Sequence, residues 1–307
     1  MRYRLKSTLA VCVAAITIAP SVATAQDKLR AVASFSILGD MVSRVGGDRI
    51  DVKTLVGAGG DAHVYEPTPA DAAELSKAQI VFLNGLKFEG WIEKLITSSG
   101  YKGDVVTATT GIATISIADR GGKAEKHGHN HGGRADPHAW QSAAHAQVYV
   151  NNIRDGLCKR DATGCAAYTT NAAAFTSEIA KLHDEIKAMV AAVPAANRKV
   201  ITSHDAFGYF AQAYGVTFLA PRGVSTESEA SAQDVAKLID QIRKEKVKAL
   251  FVENISNPRL IEQIGRETKV KLGGTLYSDS LSKKGEQAST YLDMMRHNAN
   301  LITGAMN

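Results

Sequence analysis

Apolar residues fall along this chain in short blocks that alternate between strand-like and helix-like spacing. Compact apolar runs at 29–34, 50–55 and 80–83, with another beginning at Val105 and Val106, have the length of buried strands. Between them, 37–45, 71–78 and 91–96 read as helices. The rhythm returns in the second half. Strands are predicted at 199–202, 216–219, 249–253 and 270–272, and helices at 206–214, 232–245, 258–268 and 285–302. Such a succession builds parallel β-α-β units with helices on both faces of a sheet.

The two halves are separated by 166–193, an Ala-rich stretch without Gly or Pro in which Phe175, Ile179, Leu182, Ile186, Met189 and Val193 recur at helical spacing. It reads as one long connecting helix, and Pro194 stands where such a helix should stop. The predicted fold class is therefore α/β. Two lobes, each with a mostly parallel four-stranded sheet flanked by helices, are joined by a rigid helix that limits hinge bending.

The first residues fit neither lobe. Arg2, Arg4 and Lys6 precede an apolar run at 9–18, and Ala23-Thr24-Ala25 makes a small-residue cleavage site before Gln26. The run is too short to span a bilayer, and Cys12 comes too early for a lipoprotein signal. The expected organisation is a cleaved signal peptide over 1–25, an N-terminal lobe over 26–165, the linking helix over 166–193 and a C-terminal lobe over 194–307. Secretion to the periplasm follows as the expected location. In that compartment Cys158 and Cys165, the two cysteines beyond the signal, are expected to form a disulfide. Their spacing is wider than that of zinc-binding cysteine pairs, which is the competing reading. The formal charge of +5 includes three basic residues of the signal, so the mature chain lies near +2. Nothing in that balance supports nucleic-acid binding.

Metal chemistry is advertised by KAEKHGHNH at 123–131, which places His127, His129 and His131 at alternating positions in a glycine-rich segment, 119–135. Imidazoles so spaced cannot be hidden in a core, and neutral imidazole is the commonest protein ligand for zinc, copper and nickel. The competing reading is a solvated, mobile polar loop. Open α/β sheets bind ligands at the carboxyl ends of their strands. Four metal-capable residues fall in such places: His63 after the strand ending near Leu55, His138 in Asp136-Pro137-His138-Ala139-Trp140, His204 after 199–202, and Asp279 beyond the last strand and a turn at 273–278. His145, His183 and His297 sit on predicted helices and are read as ordinary packed or solvent-facing residues. Gly57, Gly59 and Gly60 lack the spacing of a dinucleotide-binding turn.

Four fragments resemble, in order, the metal-binding solute-binding proteins of ABC transporters that serve zinc and manganese importers, the cluster A-I or cluster 9 family. They are His63-Val64-Tyr65-Glu66-Pro67-Thr68-Pro69-Ala70-Asp71, Asp136-Pro137-His138-Ala139-Trp140, Ser203-His204-Asp205-Ala206-Phe207-Gly208-Tyr209, and Tyr277-Ser278-Asp279-Ser280-Leu281. The resemblance covers nearly all of the mature chain. It implies a metal site in the cleft between the lobes, held by His63, His138, His204 and Asp279, with Trp140 and Tyr209 packed nearby and 225–231 in a loop at the cleft mouth. Manganese members typically carry Glu at the third ligand position, where this chain has His204. The His-rich insertion is similar to that of zinc members and of the AztC-type branch.

Three imidazoles and one carboxylate suit tetrahedral zinc, whereas manganese prefers more oxygen. The function expected is a periplasmic protein that captures Zn2+ and delivers it to an ABC permease in the inner membrane, with His127, His129 and His131 as an accessory collector. A periplasmic zinc metallochaperone is an expected partner, and a monomer the expected state. A manganese-binding member of the family, a secreted metalloenzyme with one coordination position open, and a surface adhesin or metal buffer are the alternatives. For an enzyme Glu66, Asp205 or Glu227 would have to serve as general base, but no compact His-Glu-x-x-His motif is present. A closed four-ligand site favours carriage, and no enzymatic activity is expected.

Overall fold

The computed structural model describes residues 27–117 and 134–307. The signal segment and the run holding His127, His129 and His131 lie outside the described residues. The first lobe comprises β1 (Leu29–Phe35), α1 (Ser36–Gly46), β2 (Ile50–Val56), α2 (Pro69–Lys77), β3 (Ile80–Leu83), α3 (Ile92–Ser98) and β4 (Asp104–Thr107). Two long helices follow, α4 (Ala143–Arg160) and α5 (Cys165–Ala191). The second lobe holds β5 (Lys199–Ile201), α6 (Gly208–Tyr214), β6 (Thr217–Leu219), α7 (Ala232–Glu245), β7 (Ala249–Glu253), α8 (Arg259–Thr268), β8 (Leu272–Leu276) and α9 (Tyr291–Met306).

Each lobe has one four-stranded parallel sheet, with strand orders β2-β1-β3-β4 and β6-β5-β7-β8. The order is the same in both, so corresponding strands deliver their carboxyl ends to corresponding sides of one cleft. Ala31 pairs with both Val52 and Ile80 in the first sheet, and Val200 pairs with both Phe218 and Ala249 in the second. β1, β3, β5 and β7 are covered on both faces, which is why their sequences are continuous apolar runs rather than alternating ones.

The helix α5 buries Tyr168, Ala172, Phe175, Ile179, Leu182, Ile186 and Val190 along one stripe, the three-and-four spacing of a single helical face. Its 27 residues span about 40 Å at the usual rise. Met189 is half-buried, and Val190 takes the core position instead. One hydrophobic cluster runs unbroken from Phe35 and Ile37 through Tyr149, Phe175 and Phe207 to Met295 and Met306, so both lobes share a core. Smaller clusters lie under α2 and α3 and under α7 and α8. The disulfide joins Cys158 near the end of α4 to Cys165 at the start of α5, with 4.4 Å between their Cα atoms.

Two of the boundaries that differ from the sequence reading turn on glycines. The strand expected at 270–272 is β8, and it runs on through the glycines read as a turn. A bulge between Leu250 and Phe251 shifts the register there. Gly273 passes so close to the Phe251 ring that a Cβ would stand 2.4 Å from it, and Gly274 has φ +124°. These glycines serve close backbone approach inside a strand. The last helix begins at Tyr291 rather than 285 because Gly285 turns at φ +86° and Thr290 caps the helix, its Oγ1 accepting the Asp293 N–H at 3.2 Å.

Candidate metal centre

The segment carrying His63 leaves β2 and enters α2 through a capping box. The Thr68 hydroxyl accepts the Asp71 N–H, while Asp71 accepts the Thr68 N–H at 2.7 Å. Pro69 occupies the first turn, where its missing N–H costs nothing. Tyr65 donates to the same Asp71 carboxylate at 2.9 Å. The motif around His63 is thus mostly a helix cap that fixes where the ligand loop ends. Farther back, Asp61 Oδ1 accepts the His63 N–H at 2.9 Å, and Trp91 Nε1–H donates to the Ala62 carbonyl at 2.8 Å.

His138 arrives on a segment tied to both lobes. Asn84 donates to the Pro137 carbonyl at 3.0 Å, and Tyr209, from the second lobe, donates to the Asp136 carbonyl at 2.9 Å. Ile117 and Arg134 flank the undescribed segment and are bonded to each other, N–H to carbonyl, at 3.0 Å. His204 follows β5 directly. Its turn continues through Ala206, whose N–H donates to the His204 carbonyl, and this is why α6 starts at Gly208 instead of 206. Asp279 follows β8, with the Ser278 carbonyl gripped by Trp140 Nε1–H at 2.9 Å and Gln141 Nε2–H at 2.7 Å.

These four residues meet in the cleft. One ligand atom from each of His63, His138, His204 and Asp279 lies within 4.8 Å of all the others, and all four side chains are buried. The Nε2 atoms of His63 and His204 stand 3.3 and 3.2 Å from Asp279 Oδ2, and that of His138 stands 3.5 Å from Oδ1. His63 Nε2 and His138 Nε2 are 3.3 Å apart. In a tetrahedron with zinc–ligand bonds of about 2.0–2.1 Å, ligand atoms lie about 3.3–3.4 Å from one another. Both Asp279 oxygens and His204 Nε2 are buried without a hydrogen-bond partner. Imidazole nitrogens converging on an unpaired carboxylate are what a divalent cation requires of its site.

Two further carboxylates set the ring orientations. Asp136 Oδ1 accepts both the main-chain N–H of His138, at 3.0 Å, and its Nδ1–H, at 2.7 Å. Glu253, at the end of β7, accepts the Ser203 and His204 main-chain N–H groups on Oε1 at 2.7 and 3.0 Å, and the His204 Nδ1–H on Oε2 at 2.5 Å. A proton held on Nδ1 turns Nε2 to the cleft, where its lone pair serves a metal once any proton on that nitrogen has left. Burial, the largest influence on His204, works to lower its pKa, but the negative charges of Glu253 and Asp279 outweigh it and hold the ring well above the usual histidine value. Burial lowers His63, helped by the neighbouring rings and opposed by Asp279. Asp279 is driven well below the carboxylate range, since His138 and His204 overcome the effect of burial.

Sequence reasoning did not find Glu253 or Glu89. Glu253 ends the apolar run ALFVE at a strand carboxyl end, and a charge in that position is the signal that could have found it. Glu89 is fully buried, and desolvation raises its pKa against bonds from the Ser34 hydroxyl at 2.5 Å and the Asn84 N–H at 2.7 Å. It braces a turn in which Leu86 and Lys87 both adopt positive φ, and from that turn the Phe88 ring stands edge-on to His63 at 4.7 Å. The remaining candidates stand elsewhere. His145 packs on Tyr209, His183 meets the Tyr214 hydroxyl, and His297 the Thr275 carbonyl. Glu66 and Glu227 are exposed. From the loop at 225–231, Thr226 donates to Asp61 Oδ2 at 2.7 Å across the cleft.

A family profile described as zinc-uptake complex component A, periplasmic, matches residues 31–305. The manganese ABC transporter substrate-binding lipoprotein PsaA of Streptococcus pneumoniae is 31% identical over 290 residues, covering 92% of this chain and 91% of its own. Among solved structures, the periplasmic zinc-binding protein TroA of Treponema pallidum superposes with a TM-score of 0.82 at 28% identity, over 91% of this chain and 99% of that one. The manganese-bound periplasmic metal-binding protein of Candidatus Liberibacter asiaticus gives 0.80 at 31% identity, over 91% and 100%.

Proposed function

Because the chain belongs to the zinc-uptake complex component A family, the metal-binding substrate-binding proteins of ABC transporters, we propose that it binds Zn2+ at His63, His138, His204 and Asp279 in the periplasm. It then delivers the ion to a permease in the inner membrane. Relatives and fold are those of transporter components, and the chain is not an enzyme. The observation that carries the zinc reading is that three Nε2 atoms stand 3.2–3.5 Å from the Asp279 carboxylate, with those of His63 and His138 3.3 Å from each other, a nitrogen-dominated donor set with edges of tetrahedral length.

A second reading is manganese. Asp279 presents Oδ1 to His138 and Oδ2 to His63 and His204, so a chelating carboxylate would supply a fifth donor, and relatives named for manganese bear on the same choice. Zinc outbinds manganese at nearly any nitrogen–oxygen site, so the deciding measurement is the metal that co-purifies with the protein taken from its own periplasm, read by elemental analysis. Zinc is the expected result, and manganese would overturn the zinc reading.

The proposal includes a cleaved signal over 1–25, a monomeric mature protein, and loading by a periplasmic metallochaperone. Among the described residues no helix is long and apolar enough to cross a membrane. The segment with His127, His129 and His131 serves as an accessory collector. Deleting 121–133 should leave tight binding intact while lowering stoichiometry or loading rate, and loss of tight binding would make the segment a source of primary ligands.

A further inference from the structure

The four candidate ligands are not held alike. His138 and His204 are each locked at Nδ1 by a buried carboxylate, Asp136 and Glu253 respectively, and both side chains are completely shielded. Asp279 is equally shielded, its backbone pinned through the Ser278 carbonyl by Trp140 and Gln141. The His63 ring has none of this. Its Nε2 faces the other ligands, while its Nδ1 has no hydrogen-bond partner among the described residues. It keeps the quartet's residual solvent contact, with 3% of the side chain exposed against 0% for the others. It is oriented through its main-chain N–H, by Asp61, and by edge contact with Phe88. A ring restrained only by packing and by its backbone turns about its side-chain bonds at much lower cost than one held by a charged hydrogen bond.

We propose that His63 is the exchange ligand of the centre. His138, His204 and Asp279 form a fixed tripod, and exchange begins at His63: its bond is the last made on loading and the first replaced on withdrawal, before donors of the acceptor displace the three tripod bonds in turn. The incoming group is a single neutral nitrogen donor, an imidazole presented by another molecule. Its nitrogen forms a bond to the metal as the His63 Nε2 bond breaks, so no charge or proton need move in the step. Three protein ligands with one exchangeable position is also the arrangement in which zinc keeps substitutional freedom. This inference deepens the zinc-site reading and rests on it.

Chemical rescue tests it on the mature protein. His63→Ala, His138→Ala and His204→Ala are titrated with Zn2+ against a chelator, and with Co2+ to follow the tetrahedral absorption bands, each with and without imidazole at about 10 mM. The expected result is that H63A loses more affinity than the about 10–100-fold typical of removing a residue behind a ligand, and recovers most of the loss with imidazole. H138A and H204A should lose more and recover nothing, because their positions are sealed. The wild type should release zinc to chelator faster when imidazole is added. Equal losses at all three positions, rescue at His138 or His204, or no rescue at His63 would overturn the proposal. His63→Asn, with circular dichroism on every variant, separates misfolding from ligand loss. If none of the variants weakens zinc binding, the metal assignment itself fails, an outcome distinct from failure of the exchange hypothesis.

Discussion

Thr226 donates to one oxygen of Asp61 at 2.7 Å while the other oxygen of Asp61 accepts the His63 N–H at 2.9 Å. The two residues belong to opposite lobes, so this carboxylate couples closure of the cleft to the placement of a ligand loop.

Removing the hydroxyl should loosen that coupling without touching a ligand. A typical hydrogen bond contributes about 0.5–1.5 kcal/mol, equivalent to roughly a 2–12-fold change in rate. Thr226→Val is expected to speed zinc release by that factor, measured by stopped-flow mixing with excess chelator. The Co2+ spectrum should stay unchanged. A release rate equal to wild type would mean that the cross-cleft bond does not contribute to retention.

Glu253→Gln tests the carboxylate behind His204. Its two oxygens serve two main-chain N–H groups and the Nδ1–H of the ring. An amide has one acceptor oxygen, so its NH2 must oppose one of these donors. Facing the ring, it favours the tautomer with the proton on Nε2, which removes the lone pair the metal needs. Zinc affinity is expected to fall about 10–100-fold with little change in melting temperature. Wild-type affinity in E253Q would rule out this positioning role.

Much of this architecture is legible in the sequence because burial imposes a period. The stripe from Phe175 to Ile186 marks α5, and the blocks at 50–55 and 80–83 mark β2 and β3 with boundaries one residue or less from those observed. Gly273 and Gly274 mislead because glycine marks both turns and close approaches, and only the Phe251 ring reveals which applies. His63, His138, His204 and Asp279, which meet in the cleft, stand near strand ends, where a sequence reading can look for them. Their supports cannot be found in that way, since Glu253 meets a ring 49 positions away and Thr226 meets Asp61 across 165. No local pattern records contacts of that range.

The turn inside the disulfide loop has its own acid dependence. Asp161 accepts from Arg49, Tyr168, Thr163 and the Gly164 N–H. Burial works to raise its pKa, but these bonds prevail and hold it well below the usual range. Its contribution to stability is therefore complete above the unfolded carboxylate value of about 3.9 and disappears as pH falls toward the lower folded value. In thermal melts the gap between wild type and Asp161→Asn should be widest near neutrality and narrow below about pH 4. A gap independent of pH would show that the carboxylate charge is not involved.

Zinc binding should also depend on pH, with the opposite group in control. Zinc takes only the unprotonated ring, so any proton on a ligand must leave as metal binds. His63 titrates below the ordinary histidine value and is neutral near pH 7, whereas His204 is held well above it by Glu253 and Asp279. The proton displaced at neutral pH therefore comes from His204. Affinity should rise with pH and keep rising above the ordinary histidine value of about 6.5, where unperturbed rings would already be neutral. Competition titrations from about pH 5.5 to 8.5, one unit below that value to two above it, follow the slope directly. Calorimetry in buffers of different ionisation enthalpy counts the proton released. In E253Q, with one of the two charges gone, the rise should level off at lower pH. An affinity flat above pH 7 in the wild type, or no proton released there, would contradict the assignment of a charged His204 to the metal-free site.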